Sequence, residues 1–212
     1  MPGAFITFEG IDGSGKSTQL KMLASYLASR GLEIVSTREP GGTPLGTRLR
    51  EALLQTTEHV DPLAELLLYA ADRAQHVRTL LCPSLQAGKI VLSDRYADAT
   101  AAYQGAGRGF SAETIDTVIQ LATEGLKPDL TLLFDLEVEE CVARTLRRAN
   151  REQDRLDAED IDFHCRVREA YLRTAAEEPH RVKVIAASGS MNETHAKVLD
   201  IVVPFLKRNG QL

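Results

Sequence analysis

The stretch that most constrains the fold is "FEGIDGSGKSTQL", residues 8–20, which follows a short apolar run and opens a helical pattern. Gly10, Gly15, Lys16 and Ser17 satisfy the spacing G-x-x-x-x-G-K-[ST] in the strand-to-helix context that gives this pattern its meaning. Glycines let backbone N–H groups turn inward around phosphate oxygens, and the helix that follows adds its positive N-terminal end. Lys16 is then set to reach the outer phosphates, and the Ser17 hydroxyl to ligate Mg²⁺. The loop of Gly10, Ile11, Asp12, Gly13, Ser14, Gly15, Lys16, Ser17 and Thr18 is therefore expected to hold a nucleoside triphosphate with magnesium. The plainer alternative is a tight glycine turn that binds nothing.

Five apolar runs, at 4–8, 33–37, 90–94, 130–135 and 182–186, read as buried strands. Between them lie helical patterns near 16–30, 43–54, 62–87, 112–124, 137–149 and 159–177, with a last one near 192–208. This alternation predicts a three-layer α/β fold: a five-stranded parallel sheet flanked by helices, the P-loop NTPase arrangement. Crossovers are expected to be right-handed, with the ligand beyond the carboxyl ends of the strands. No repeat, linker or composition shift divides the 212 residues, so a single domain over 1–212 is expected. A chain of that size buries roughly 70% of its unfolded surface.

The formal charge of −5 gives no overall attraction to nucleic acid or to an anionic membrane. An anion site must then be a local basic pocket, which suits a small ligand better than a polymer. Cys82, Cys141 and Cys165 are odd in number, far apart and never in a CxxC pair, and read as core thiols in a reducing compartment. No basic stretch leads into a long apolar run, and no apolar run approaches the ~18 residues of a membrane span. The expectation is a cytoplasmic protein.

The loop alone does not separate a kinase from a GTPase, a motor or a regulatory ATPase, because all share fold and motif. The absence of an N-K-x-D string lowers the GTPase reading. Other segments supply the second partner. "STREPGGT", 36–43, puts Arg38 and Glu39 before Pro40 and two glycines, while Thr43 and Pro44 read as the cap and first position of a helix. In "ELLLYAADRAQH", 65–76, Leu66, Tyr69 and Arg73 share one helix side. Arg73 there either pairs with a carboxylate on a neighbouring element or, with the ring, reads a flat heterocycle. "LSDRY", 92–96, places Asp94 and Arg95 at a strand's ligand-binding edge, as a phosphate and magnesium site or as an ion pair closing the strand. "TAAYQGAGRG", 100–109, concentrates Thr100, Tyr103 and Gln104 before a glycine-rich turn. The run "RTLRRANREQDR", 144–155, carries five arginines against two acids and reads as a solvated helix face or as a lid over phosphates.

These motifs, in this order and together with "PDLTLLFDL" and "DRL", resemble the bacterial thymidylate kinase family over essentially the whole chain. The resemblance implies a nucleoside monophosphate kinase-like fold that transfers a phosphoryl group from MgATP to dTMP, and a homodimer. It implies that Arg38 and Arg95 hold the dTMP phosphate, that Tyr69 stacks on thymine where relatives usually have Phe, and that Arg73 donates to a thymine carbonyl. Glu39 and Pro40 belong to the same substrate loop. Thr100 and Gln104 would help hold the base, and Tyr103 would lie against the sugar. Asp12 matches the family's loop carboxylate, and Ser17 and Asp94 would stand near Mg²⁺. Some relatives carry a catalytic arginine at the position of Gly13, so the missing charge is expected from a mobile lid near 144–158. Arg148 and Arg151 are its candidates, with Arg147 still open. Ala186 stands where many relatives have Asp near adenine. A kinase for another monophosphate, or a regulatory ATP switch, is the alternative to be tested.

Overall fold

The computed structural model describes residues 3–56, 58–147, 155–156 and 158–212. Five parallel strands, β1 (Ala4–Glu9), β2 (Ile34–Arg38), β3 (Ile90–Asp94), β4 (Leu130–Asp135) and β5 (Val182–Ala186), lie in the order β2-β3-β1-β4-β5. All five expected strands form within a residue of their anticipated bounds. Alternation along β1 explains its two-sided burial: Ala4, Ile6 and Phe8 enter the larger core cluster, and Phe5 enters a second one with Val77, Val91 and Tyr96. β1 sits between β3 and β4, so the chain changes direction across the sheet beside it, which opens at the strands' carboxyl ends the kind of crevice in which such sheets bind ligands.

The helices are α1 (Lys16–Ala28), α2 (Pro44–Leu54), α3 (Pro62–His76), α4 (Cys82–Gln86), α5 (Ala97–Thr100), α6 (Ala112–Thr123), α7 (Val138–Leu146), α8 (Ile161–Glu177) and α9 (Met191–Arg208). Local chemistry sets several ends. Thr43 Oγ1 accepts from the Gly46 N–H at 3.0 Å with Pro44 first in α2, as anticipated, and Ser190 and Glu193 form a reciprocal cap on α9.

Two stretches depart from the sequence expectation. The pattern read as one helix over 62–87 is interrupted by a π-helical segment, Val77–Leu81, before α4. Pro83 has no N–H to bond the preceding turn, and the widened turn ahead of it absorbs the mismatch. Residues 101–107, read as donors ahead of a turn, instead continue α5 as a π-helical segment. Glycine disfavours helix, but Ala102 and Tyr103 are buried, and a Cβ on Gly107 would lie 2.6 Å from the Phe163 ring, so packing on α8 wins. The cysteine reading also needs correction: only Cys141 is buried, while Cys82 and Cys165 are half-buried thiols.

Candidate active site

The loop between β1 and α1 depends on its glycines. Gly10, Gly13 and Gly15 have φ of 134°, 89° and 94°, a region that side chains disfavour. A Cβ on Gly13 would lie 2.2 Å from the Cys141 carbonyl oxygen, so α7 occupies the space a side chain at this position would need. α1 begins without a side-chain cap, leaving its first N–H groups to an anion. Lys16 Nζ donates to Asp12 Oδ1 at 2.9 Å and to the Ile11 carbonyl at 3.4 Å. Asp12 Oδ2 in turn accepts from Arg95 Nη2 at 3.0 Å. Asp12 thus sits between two cations, and the ion pair at the end of β3 runs from Arg95 to Asp12 rather than to Asp94. Asp94 Oδ2 accepts instead from Ser17 Oγ. Gly10, Ile11 and Ser14 form the turn without facing the cleft, and Thr18 is exposed in the first turn of α1. The cleft around this loop holds about 790 Å³, and five cations (Lys16, Lys21, Arg38, Arg50, Arg95) and three carboxylates (Asp12, Glu39, Asp94) line it. That local excess of positive charge is how an acidic chain receives an anion.

A second, narrower pocket adjoins the first, and Asp12, Glu39, Arg50 and Arg95 line both. Its wall carries Pro40, Tyr69, Arg73, Thr100, Tyr103 and Gln104, so six residues from three sequence motifs converge here. Arg73 is 2% exposed and pairs with Glu39 Oε2 through Nε at 2.8 Å, the carboxylate pairing expected of it, and it also lines the pocket. Its Nη1 donates to Thr100 Oγ1 at 2.8 Å and its Nη2 to the Tyr96 carbonyl at 2.9 Å. Glu39 also meets His76 Nδ1 at 2.8 Å. Arg95 lies over the Tyr103 ring at 4.7 Å and donates to its hydroxyl at 3.0 Å. Arg38 departs from its expected place: it is exposed and lines the loop cleft, not the pocket with Tyr69 and Arg73. β2 ends at Arg38, and alternation sends Arg38 and Glu39 to different sides.

Sequence reasoning missed the groups behind these residues. Arg95 has a left-handed φ of 72°, and the next N–H, that of Tyr96, donates to Glu9 Oε1 at 2.7 Å. Glu9 Oε2 accepts from the Tyr171 hydroxyl at 2.7 Å, and that hydroxyl accepts from Arg95 Nη1 at 3.2 Å. Burial, and secondarily the charge of Asp98, pushes the Glu9 carboxyl from 4.5 up to about 8. A charged residue closing an otherwise apolar strand was a usable signal for Glu9; Tyr171, on α8, had none. Of the arginine run, Arg144 pairs with Glu140 at 2.6 Å, Arg147 is exposed at the end of α7, and Arg155 pairs with buried Glu65. Arg148 and Arg151 lie outside the described residues. The 186–190 loop lines neither chamber.

Comparison with known proteins places this geometry. Residues 8–198 match the model of the thymidylate kinase family. A thymidylate kinase from Pelobacter propionicus is 47% identical over 196 residues, covering 90% of each chain. One from Leifsonia xyli subsp. xyli is 50% identical over 197 residues, covering 93% of each. The crystal structure of thymidylate kinase from Ehrlichia chaffeensis superposes with a TM-score of 0.79 at 36% identity, covering 95% of this chain and 99% of that one.

Proposed function

The chain belongs to the thymidylate kinase family, and from that premise we propose how its two chambers work. It is a kinase that phosphorylates dTMP to dTDP with ATP, a step in dTTP synthesis for DNA replication. In our reading the loop cleft takes ATP, and the pocket of Tyr69, Arg73, Thr100 and Gln104 takes dTMP. The observation that carries it is the wall common to both, where Asp12 sits between Lys16 and Arg95. One carboxylate between two cations leaves net positive charge where two phosphates would meet.

The acceptor oxygen is already anionic, so no strong general base is required, and the work is to bring two negative groups together and neutralise them. Lys16 contributes its remaining N–H donor to the outer phosphates of ATP. Arg95 has five N–H donors, of which Asp12, Tyr103 and Tyr171 take three, leaving two for the transferred group. Asp12 orients both cations. Arg38, at the edge of the cleft, supports phosphate binding from the open side. Tyr69 supplies a ring for the base, and Tyr103, buried under Arg95, a surface for the sugar.

The donor set at the cleft fits magnesium: Ser17 Oγ and Asp94 Oδ2 are hard oxygen ligands brought into contact, and a phosphate-bound Mg²⁺ needs only one or two protein oxygens. When bound with ATP it would neutralise charge on the phosphates. We further infer, within a single domain, that the segment near 144–158 acts as a lid, with Arg148 and Arg151, which lie outside the described residues, as its charge donors. The side chain that α7 excludes at Gly13 supports a source of charge outside the loop. Homodimer formation is supported by Leu63 and Leu67, one turn apart on α3, and Leu121 on the neighbouring α6, each at least half exposed. Light scattering tests that state. No helix is long and apolar enough to cross a membrane. We assign the enzyme to the cytoplasm, with no nucleic-acid or membrane partner, on the strength of the chain's acidic charge and unpaired cysteines.

The deciding experiment is ADP release on a panel of nucleoside monophosphates. Highest kcat/KM for dTMP is expected; another monophosphate as best substrate would reassign the pocket. Slow ATPase indifferent to every monophosphate would favour a regulatory switch.

A further inference from the structure

One buried amide decides which base edge the pocket can read. Gln104 is 2% exposed, and its Nε2 donates to Glu65 Oε1 at 2.8 Å. Glu65 is fully buried and accepts from Arg108 through Nε at 3.2 Å and Nη2 at 3.1 Å, and also from Arg155. Arg108 is itself held by Glu159 at 2.7 Å, and Arg155 Nε donates to the Leu53 carbonyl at 3.1 Å. Burial alone would raise the Glu65 carboxyl, but the hydrogen bonds from Arg108, Gln104 and Arg155 outweigh it and hold the group below its ordinary value. An ionised carboxylate only accepts hydrogen bonds. The amide of Gln104 must therefore turn its nitrogen to Glu65. Its oxygen, which accepts no hydrogen bond from the described residues, is what it offers to the pocket it lines.

Arg73 and Thr100 on the same wall are donors, while the two carboxylates that also line the pocket are already engaged, Asp12 by Lys16 and Arg95 and Glu39 by Arg73. Arg73 brings N–H groups, and because its Nη1 already donates to Thr100 Oγ1, the Thr100 hydroxyl hydrogen is free to turn to the pocket. Two donors and one acceptor complement a pyrimidine edge made of a carbonyl, an N3–H and a second carbonyl. Cytosine presents an N3 lone pair and an amino group along the same edge and would set acceptor against acceptor.

We propose that Glu65 is the positioning residue behind base selectivity: by holding the Gln104 amide oxygen toward the pocket, it admits an N3–H and rejects an N3 lone pair. The inference rests on the reading of this pocket as the dTMP site. It predicts selection of thymine and uracil over cytosine, with no bearing on the 5-methyl group.

Glu65→Gln tests it, because a neutral amide at 65 can donate as well as accept and so lets Gln104 turn over. The kcat/KM ratio of dTMP to dCMP should fall about ten- to a hundredfold, since a mismatched buried polar pair is relieved. The ratio of dTMP to dUMP should stay as in the wild type, because both carry N3–H. A general structural disturbance would move both ratios. An unchanged dTMP to dCMP ratio in the folded variant overturns the proposal, whereas no turnover of dTMP by the wild type overturns the assignment of the pocket. A measurement on the unaltered protein covers a variant that does not fold. In 15N-labelled wild-type protein the Gln104 Nε2–H resonance bonded to Glu65 should keep its position when dTMP binds. A large shift of that resonance would show that the amide nitrogen turns to the base, and would overturn the assignment.

Discussion

Two carboxylates in this molecule are each gripped by two cations, and their surroundings give them different work. Asp12 holds Lys16 and Arg95; Glu65 holds Arg108 and Arg155. The Asp12 side chain is 23% exposed and its cations line the cleft. Glu65 is fully buried, and its arginines also donate to the Leu53 carbonyl and to Glu159. The difference teaches that an ion pair at a cleft edge keeps unused donors for an arriving anion, while the same pairing in the interior orients its neighbours. Water can replace a cation lost from Asp12 but cannot reach the Glu65 carboxylate.

The largest expected effect breaks the exposed cluster. Lys16→Ala should lower kcat by about 10²–10³, the scale of losing one transition-state donor. Its melting temperature should stay near that of the wild type, because Asp12 keeps Arg95 and reaches solvent. A thermal melt beside a dTMP-dependent ADP release assay separates the two. Equal loss of stability would erase the difference between the two clusters.

Glu65→Ala should do the reverse. It leaves Arg108 and Arg155 without their shared partner, and breaking a buried pair costs about 3 kcal/mol or more. Urea denaturation would read this as a lower midpoint at similar slope. A midpoint within error of the wild type would mean that the buried cluster contributes no net stability.

Tyr171→Phe sharpens the comparison from the side of Arg95. It deletes the hydroxyl that joins Arg95 to Glu9, worth about 1 kcal/mol for a typical hydrogen bond. We expect kcat to fall about fivefold with smaller change in KM for ATP, since about 1.4 kcal/mol corresponds to tenfold. A loss confined to KM would detach Tyr171 from the positioning of Arg95.

The smallest effect is on pH dependence. The Glu9 carboxyl is raised from 4.5 to about 8, so its contribution to stability is full below 4.5 and is lost as the pH climbs to about 8. Melting temperatures of wild type and Glu9→Gln, followed between those limits, should converge or cross with rising pH as the wild type alone loses that contribution. Parallel curves would show that Glu9 titrates no differently in the folded and unfolded chains.

The fold was largely legible because its signals are local. Strands such as 90–94 and 130–135 are mostly apolar runs that end on an aspartate, helices carry their own period, and Thr43–Pro44 announces a start within two residues. Where the reading failed, packing overrode composition: residues 101–107 hold two glycines yet coil against α8, and the helix after His76 widens ahead of Pro83. The site was half legible. Tyr69, Arg73, Thr100, Tyr103 and Gln104 do line one pocket, but Arg38 stands in the other chamber, and Glu9, Glu65 and Tyr171 had been passed over. None of the three lines either chamber, and only Glu9, a charge closing an apolar strand, carried a local signal.

By itself, then, the sequence determined the parallel α/β frame, the glycine-dependent phosphate loop and the residue types gathered at the strand ends. Tertiary structure alone decided which charge answers which. Arg73 meets Glu39 across 34 residues, Arg95 meets Asp12 across 83, and Arg155 meets Glu65 across 90. Period and capping act within a turn or two of the chain, whereas a charge seeks whatever opposite charge the fold brings within hydrogen-bond distance. That choice also separates a cation kept for phosphate from one spent on holding a neighbour in place.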